Sequence, residues 1–234
     1  MLQQILTATP LEAWGPLLAM MAFGAYHGLN PGMGWLFALS LGLQRQSERA
    51  IWSSLLPITA GHAFSLLTVA LLVIAGARFI STPMLEIVTA LVLIGFGLYK
   101  VFNYYRHPRW VGMQVGLRDL TWWSFLMATA HGAGLMIAPV VLSMTTHASG
   151  MGSTTMAGDH AFHQATMGVN MDIALGVLVH TLAMLIVMAL VAWLVYKKFG
   201  LQILRSHWIN FDLIWAAALL MVGAIALLRS FGVL

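Results

Sequence analysis

Four histidines lie inside strongly apolar stretches of the sequence: His27, His62, His131 and His180. Each falls near the middle of a run long enough to cross a bilayer, where an ionisable side chain is costly unless it faces a protein interior or a water-filled cavity. One such histidine can serve as a neutral hydrogen-bonding residue between helices. Four at matching depth favour a shared polar site near the membrane midplane.

Imidazole nitrogen is a ligand suited to nickel, cobalt, zinc and copper, whereas magnesium and calcium prefer oxygen. A site of neutral histidines with few carboxylates could also release its ion, as a transport site must. Because imidazole titrates near neutral pH, ion movement could be coupled to protons. The chain contains no cysteine, so any metal chemistry must use His, Met, Asp, Glu or Asn.

Residues 24–35 read GAYHGLNPGMGW, an unusual sequence for a membrane helix. His27 and Asn30 are three apart and share a helix face, while Pro31 removes the backbone donor that would bond the carbonyl of His27. We predict a broken helix that lines a cavity and offers freed carbonyls as further ligands, an ordinary proline kink being the alternative. HGAGLMIAP, residues 131–139, predicts a weaker break of the same kind.

The elements that must position these residues follow from composition. The chain is 60% hydrophobic and 8% charged, which excludes a soluble globular protein. We predict an all-α, polytopic membrane protein in which residues 1–234 form a single transmembrane domain. Its six predicted helices cover about 14–42, 51–76, 84–103, 121–145, 171–196 and 209–231.

The two halves of the chain share an order of polar residues, which predicts two inverted three-helix repeats, at about 14–103 and 121–231. Each half has three spans, which is an odd number, so the two halves must have opposite orientations in the membrane. The candidate acids Glu86 and Asp212 would each lie at a helix N-terminus, either as caps or in gating and proton coupling. The shared order is a His-Gly pair, a histidine and an acid: His27, His62 and Glu86, then His131, His180 and Asp212.

The basic residues predict the topology. With the N-terminus outside, nine of the eleven Lys and Arg residues fall in inside loops, as the positive-inside rule requires. We therefore expect both termini and the polar segment 146–170 to lie outside, in a bacterial inner membrane. The net charge of +4 then reflects topology, and we expect no nucleic-acid partner.

The segment 146–170 is rich in Gly, Ser, Thr, Met and His, and we predict a mobile loop without helical periodicity. His160 and His163 are three apart, a spacing that can chelate a metal if a helical turn forms, and Asp159 lies beside them. Methionine is abundant throughout the chain, sixteen in all, so a plain flexible loop is the alternative.

GAYHGLNPGMGW resembles the first-span signature of the NicO family of nickel and cobalt transporters. The resemblance places the family's histidine at His27 and its Pro-Gly at Pro31 and Gly32. The sequence departs at Met33, where the family usually has a second histidine, and at Asn30, where an acid is common. Thioether sulfur favours Cu(I), so Met33 could indicate a softer ion.

Two further stretches resemble the family: TAGHAFSLL around His62 and HGAGLMIAP around residues 131–139. The wider LysE superfamily, to which the NicO family is related, is built from three-plus-three inverted repeats. The resemblance therefore implies the same repeat architecture here and a nickel- or cobalt-like substrate.

We expect a transporter, not an enzyme, that moves nickel, cobalt, copper or zinc through the bilayer, alone, as a homo-oligomer or with a partner membrane or periplasmic subunit. A metal-handling subunit or assembly factor for a partner enzyme is the alternative, with 146–170 as its docking surface. A membrane enzyme is disfavoured because no HExxH-type motif is present. The predicted metal ligands are His27, Asn30, Met33, His62, His131 and His180, followed by His160, His163, Asp159, Glu86 and Asp212.

Overall fold

The computed structural model describes residues 10–103, 116–151, 159–199 and 211–233. These residues are almost entirely helical, and none of them lies in a β-strand. A π-helical turn at Val195–Phe199 extends the seventh helix. The eight α-helices of the described residues are α1 (Pro10–Leu29), α2 (Trp35–Gln44), α3 (Glu48–Gly76), α4 (Thr82–Phe102), α5 (Leu117–Ala130), α6 (Ala133–Met151), α7 (Asp159–Leu194) and α8 (Phe211–Ser230).

Four helical stretches are long and apolar enough to cross a membrane, and the bent pair α5–α6 counts as a fifth if its two helices form one span. The four agree within a few residues with the second, third, fifth and sixth predicted spans. Their outward faces carry large hydrophobic side chains such as Leu71 and Leu190, which are more than half exposed. Such a surface is typical of helices that face lipid, so the all-helical class is confirmed and the apolar helices support a membrane protein. The four stretches are Glu48–Gly76, Thr82–Phe102, Met171–Lys198 and Leu213–Ser230.

The first predicted span is divided, as GAYHGLNPGMGW predicts. Helix α1 ends at Leu29, a short 3-10 turn covers Pro31–Met33, and α2 begins at Trp35. Gly34 has a φ of 130°, which favours glycine. The carbonyl of His27 is not freed as a ligand, because the Asn30 backbone N–H donates to it at 3.1 Å.

The break in the fourth predicted span lies at the start of HGAGLMIAP, within the residues where it was predicted. Helix α5 ends at Ala130, His131 and Gly132 form a turn, and α6 starts at Ala133, with an angle of 67° between the two helices. Gly132 has a φ of 71°, so it provides the reversal. Pro139 lies inside α6, where a proline removes only one hydrogen bond of the helix, so the prediction that it contributes to the break was wrong.

The prediction of a loop over 146–170 was also wrong for most of that segment. Helix α6 continues to Met151 and α7 begins at Asp159, so only residues 152–158 separate them, and those lie outside the described residues. The reason is that AFHQATM, residues 161–167, contains neither proline nor glycine and consists largely of residues that tolerate a helix.

The helices pack in three main sets: α1 against α7, α3 against α5 and α6, and α4 against α8. Helix α3 also contacts α7. One apolar cluster surrounds Met20, Met136 and Trp215, and a second surrounds Ile58 and Met188. Three of the buried histidines are brought together where α1, α3 and α7 meet.

Candidate metal centre

Three histidines from three helices form a cluster, which we call the histidine triad: His27 of α1, His62 of α3 and His180 of α7. One ring nitrogen from each lies within 4.8 Å of the other two. All three side chains are fully buried, at 0% exposure. The ring centroids are 5.3 Å apart for His27 and His62, 4.8 Å for His27 and His180, and 5.7 Å for His62 and His180.

The close approach of α1 and α7 depends on two glycines one helical turn apart. A Cβ on Gly24 would overlap the backbone carbonyl of His180, and a Cβ on Gly28 would stand 2.6 Å from the carbonyl oxygen of Met184. This small-xxx-small pattern is one that membrane helices use to bring their backbones into contact. Gly24 and Gly28 flank His27, so the contact places its ring beside that of His180.

A similar contact holds α3 beside α5. A Cβ on Gly61 would overlap the carbonyl of Thr121, so only glycine can occupy the position before His62. The Ser124 hydroxyl donates to the carbonyl of Ile58 at 2.6 Å, one turn before His62. The backbone around His62 is therefore fixed by two interactions with the neighbouring helix.

Backbone carbonyls set the protonation of two of the rings. Nδ1 of His27 lies 2.6 Å from the carbonyl oxygen of Phe23, and Nδ1 of His180 lies 3.1 Å from that of Met20. A carbonyl can only accept, so both Nδ1 atoms carry the proton and, in the neutral rings, both Nε2 atoms keep a lone pair. This is the arrangement by which proteins orient metal-binding histidines.

The remaining nitrogens are short of partners. Nε2 of His62 lies 3.5 Å from Nε2 of His180. Nε2 of His27 and Nδ1 of His62 are both buried and have no hydrogen-bond partner among the described residues. Buried polar atoms are almost always satisfied in proteins, so these two nitrogens are open to a water molecule or an ion.

The distances can be compared with those around a metal ion. Zinc binds imidazole nitrogen at about 2.0–2.1 Å, so two nitrogens on one tetrahedral ion lie about 3.4 Å apart. The 3.5 Å between His62 and His180 already matches that value. Since no pair in the triad exceeds 4.8 Å, closure around an ion needs a nitrogen–nitrogen separation to shrink by about 1.4 Å at most.

Trp215 of α8 adjoins the triad and was not predicted. It is fully buried, its ring lies 4.6 Å from that of His27 and stacks on Tyr26 at 5.4 Å, and its Nε1 donates to the carbonyl of His131 at 2.5 Å. The available signal was its position inside an apolar run, since membrane tryptophans favour span ends.

His131 and Asn30 are not part of the triad, although both had been predicted with it. They lie together at the two helix breaks: a Cβ on Gly32 would stand 3.3 Å from Oδ1 of Asn30 and 3.4 Å from Nε2 of His131. Oδ1 of Asn30 accepts the Gly32 backbone N–H at 2.9 Å, which caps the 3-10 turn. Nδ1 of His131 donates to the carbonyl of Met127 at 2.9 Å, as Nδ1 of His27 does to Phe23.

The other candidates lie elsewhere. Met33 is 2% exposed and packs in the apolar cluster that includes Met136. Glu86 lines a small cavity with Pro139 and Arg229, between α4, α6 and α8. Among the described side chains, neither Glu86 nor any other carboxylate belongs to the triad. The side chains of Asp159, His160, His163 and Asp212 lie outside the described residues.

A cavity of about 430 Å³ adjoins that of Glu86. Its lining includes Gly15 and Phe23 of α1, Val222 and Arg229 of α8, and Pro139 of α6. Phe23 is the residue whose carbonyl accepts from His27, so the cavity comes within one helical turn of the triad.

Comparison of the chain with protein-family models, with curated proteins and with solved structures finds no match in any of the three.

Proposed function

We propose that the protein is a membrane transporter of a transition-metal ion, which it binds between His27, His62 and His180. The observation that carries this proposal is the triad itself, three fully buried imidazoles from three helices with two unpaired ring nitrogens. The resemblance of residues 24–35 to the first span of the NicO family supports a transition-metal substrate, and imidazole is compatible with nickel, cobalt, copper and zinc.

The surroundings of the triad support transport rather than a static metal site. Both helix breaks, at Asn30–Gly34 and at His131–Gly132, lie close to it, and broken helices are where transporters place their substrate sites. The cavity that reaches Phe23 is lined by the N-terminal half of α1 and the C-terminal end of α8. In the topology that the basic residues favour, this is the outer side, so the cavity fits an outward-facing entrance.

We also propose a bacterial inner-membrane location with both termini outside. The distribution of Lys and Arg supports this orientation. The 2.5 Å ion pair between Lys197 and Glu48 is compatible with it, because it joins the end of α7 to the start of α3, both of which belong inside in this topology.

The packing of the helices supports two inverted three-helix repeats. In that arrangement α1 and α2 correspond to α5 and α6, α3 corresponds to α7, and α4 corresponds to α8. Under this correspondence, the observed contact of α1 with α7 is equivalent to the observed contact of α3 with α5 and α6. The contact of α4 with α8 is equivalent to itself. An approximate two-fold relation between the halves would produce this pattern.

The same correspondence relates His62 to His180 and His27 to His131. The rings of His62 and His180 are parallel within 3°, and both His27 and His131 direct Nδ1 to the carbonyl four residues earlier. On the proposed mechanism, His27 completes the site in the outward-facing state. His131 takes its place beside His62 and His180 when the site opens to the inside.

Metal accumulation tests the transport function. Cells that express His27→Ala, His62→Ala or His180→Ala should accumulate or exclude the metal as cells without the protein do. Thr68→Ala is the matched control on α3, because its hydroxyl bonds the carbonyl of Phe64 on the exposed face. Equal metal content in wild type and all three histidine variants contradicts transport through the triad. Activity that requires a co-expressed neighbouring membrane protein supports the assembly-factor alternative.

The exchange of His27 and His131 has its own test. His131→Ala should bind metal as the wild type does in detergent but lose transport in proteoliposomes, whereas His27→Ala should lose both. Wild-type transport by His131→Ala rules out the exchange and leaves the triad proposal standing.

A further inference from the structure

The charge of the histidine triad indicates which ions it can hold. The triad consists of neutral imidazoles, and no carboxylate joins it among the described side chains. No Asp or Glu is buried in the part of the chain that the structure describes: the buried polar residues there are His, Asn, Ser and Thr. An ion held by the described side chains alone therefore keeps its full formal charge.

Full burial makes that charge decisive. An uncompensated charge is strongly disfavoured in an apolar interior, and the Born cost rises with the square of the charge. A divalent ion in the triad thus faces about four times the desolvation cost of a monovalent ion of the same size. Three neutral imidazoles reduce this cost through their dipoles, but they do not cancel a second positive charge.

Coordination number points in the same direction. The triad supplies three nitrogen atoms, and zinc held by three histidines takes a water as its fourth ligand, which the fully buried triad would have to admit together with the ion. Monovalent d¹⁰ ions such as Cu(I) and Ag(I) are stable with two or three nitrogen ligands.

We infer that the substrate is a soft monovalent cation, of the class of Cu(I) and Ag(I), rather than a divalent nickel, cobalt or zinc ion. This inference rests on the proposed function, because it concerns the ion that the transporter carries.

Equilibrium metal binding to the full-length protein in detergent tests the inference. The probes are Ag(I), Cu(I) under anaerobic reducing conditions, Zn(II), Ni(II) and Co(II), with metal content measured by mass spectrometry. Because methionines elsewhere can also bind Ag(I), the measured quantity is the binding that is lost in His27→Gln. We expect one such Ag(I) or Cu(I) per chain, held at least about tenfold more tightly than any divalent ion.

A substitution that changes the charge of the triad provides the second test. It measures a change in the preference between two ions and not the loss of binding. His62→Glu adds a carboxylate to the triad, and His62→Gln is its neutral control of similar size. We expect the ratio of Zn(II) to Ag(I) affinity to rise at least about tenfold in His62→Glu relative to His62→Gln. Monodisperse elution of both variants checks that they fold.

The outcomes separate the two proposals. Triad-dependent Zn(II), Ni(II) or Co(II) binding as tight as that of Ag(I) overturns the inference but leaves metal transport intact. An unchanged affinity ratio in His62→Glu also overturns it. If no metal shows binding that depends on His27, both the inference and the proposed function are wrong.

Discussion

Gly28→Ala is the substitution that best tests how the triad is positioned. A Cβ on Gly28 would stand 2.6 Å from the carbonyl oxygen of Met184 and 2.8 Å from Cβ of Val187, where ordinary contact begins at 3.4 Å. Neither neighbouring atom lies at the flexible end of a side chain. Helices α1 and α7 must therefore move apart by about 0.8 Å, the difference between 3.4 and 2.6 Å.

Two terms of opposite sign decide the stability of this variant. Overpacking in a tight interface costs about 1–3 kcal/mol. Replacing glycine by alanine inside a helix returns about 0.5–1 kcal/mol. We expect a net destabilisation of about 1–2 kcal/mol, seen as a lower thermal midpoint in detergent.

The effect on the triad should exceed the effect on stability. His27 precedes Gly28 in α1, and His180 lies one turn before Met184 in α7, so the separation of the helices moves these two rings apart. Metal–ligand distances hold to about 0.2 Å, so a shift of about 0.8 Å should weaken triad-dependent metal binding at least about tenfold.

Gly95→Ala is the matched control, because a Cβ there would meet nothing within 4 Å. This variant should bind metal as the wild type does and should be slightly more stable. Wild-type metal affinity in Gly28→Ala refutes the reasoning that close backbone contact of α1 and α7 sets the geometry of the triad.

Three further substitutions have defined outcomes by thermal denaturation in detergent. Trp215→Phe removes the indole hydrogen bond and should destabilise the protein by about 1 kcal/mol, against about 3–5 kcal/mol for Trp215→Ala; similar losses would mean that the bond dominates over packing. Asn30→Ala removes the cap on the Gly32 N–H and should cost about 1 kcal/mol, whereas Asn30→Ser keeps a neutral acceptor and should cost less; equal losses exclude the capping role. Lys197→Met breaks an exposed ion pair with Glu48, so the midpoint should not change; a clear decrease would show that the pair matters more than exposed pairs usually do.

Long apolar runs were the most readable feature of the fold. They located α3, α4, α7 and α8, because a membrane helix requires about 20 apolar residues whatever its partners are. The breaks were harder. Pro31 with Gly34 marks the first break locally, but the second depends on Gly132 adopting a positive φ, which a sequence with Pro139 nearby does not indicate.

The site could be predicted as far as depth in the bilayer determines it. His27, His62 and His180 were predicted to share a site because each lies near the middle of an apolar run, where an imidazole needs a polar partner. Depth carries no information about rotation around a helix axis, so it could not separate Met33, which packs in the apolar core, from the histidines of the triad. Trp215 was missed because nothing about a tryptophan in an apolar run specifies which ring it contacts.

The position of His131 has a different explanation if the two halves exchange roles. His131 shares with His27 the following glycine and the bond from Nδ1 to the carbonyl four residues earlier, yet it lies outside the triad. A sequence must encode the ligands of every state that a transporter visits, whereas one conformation holds only those of a single state. On the proposed mechanism, the four histidines at matching depth are therefore the ligands of both states. On the same mechanism, His131, the one of the four that is left out of the triad, is the ligand of the inward-facing state.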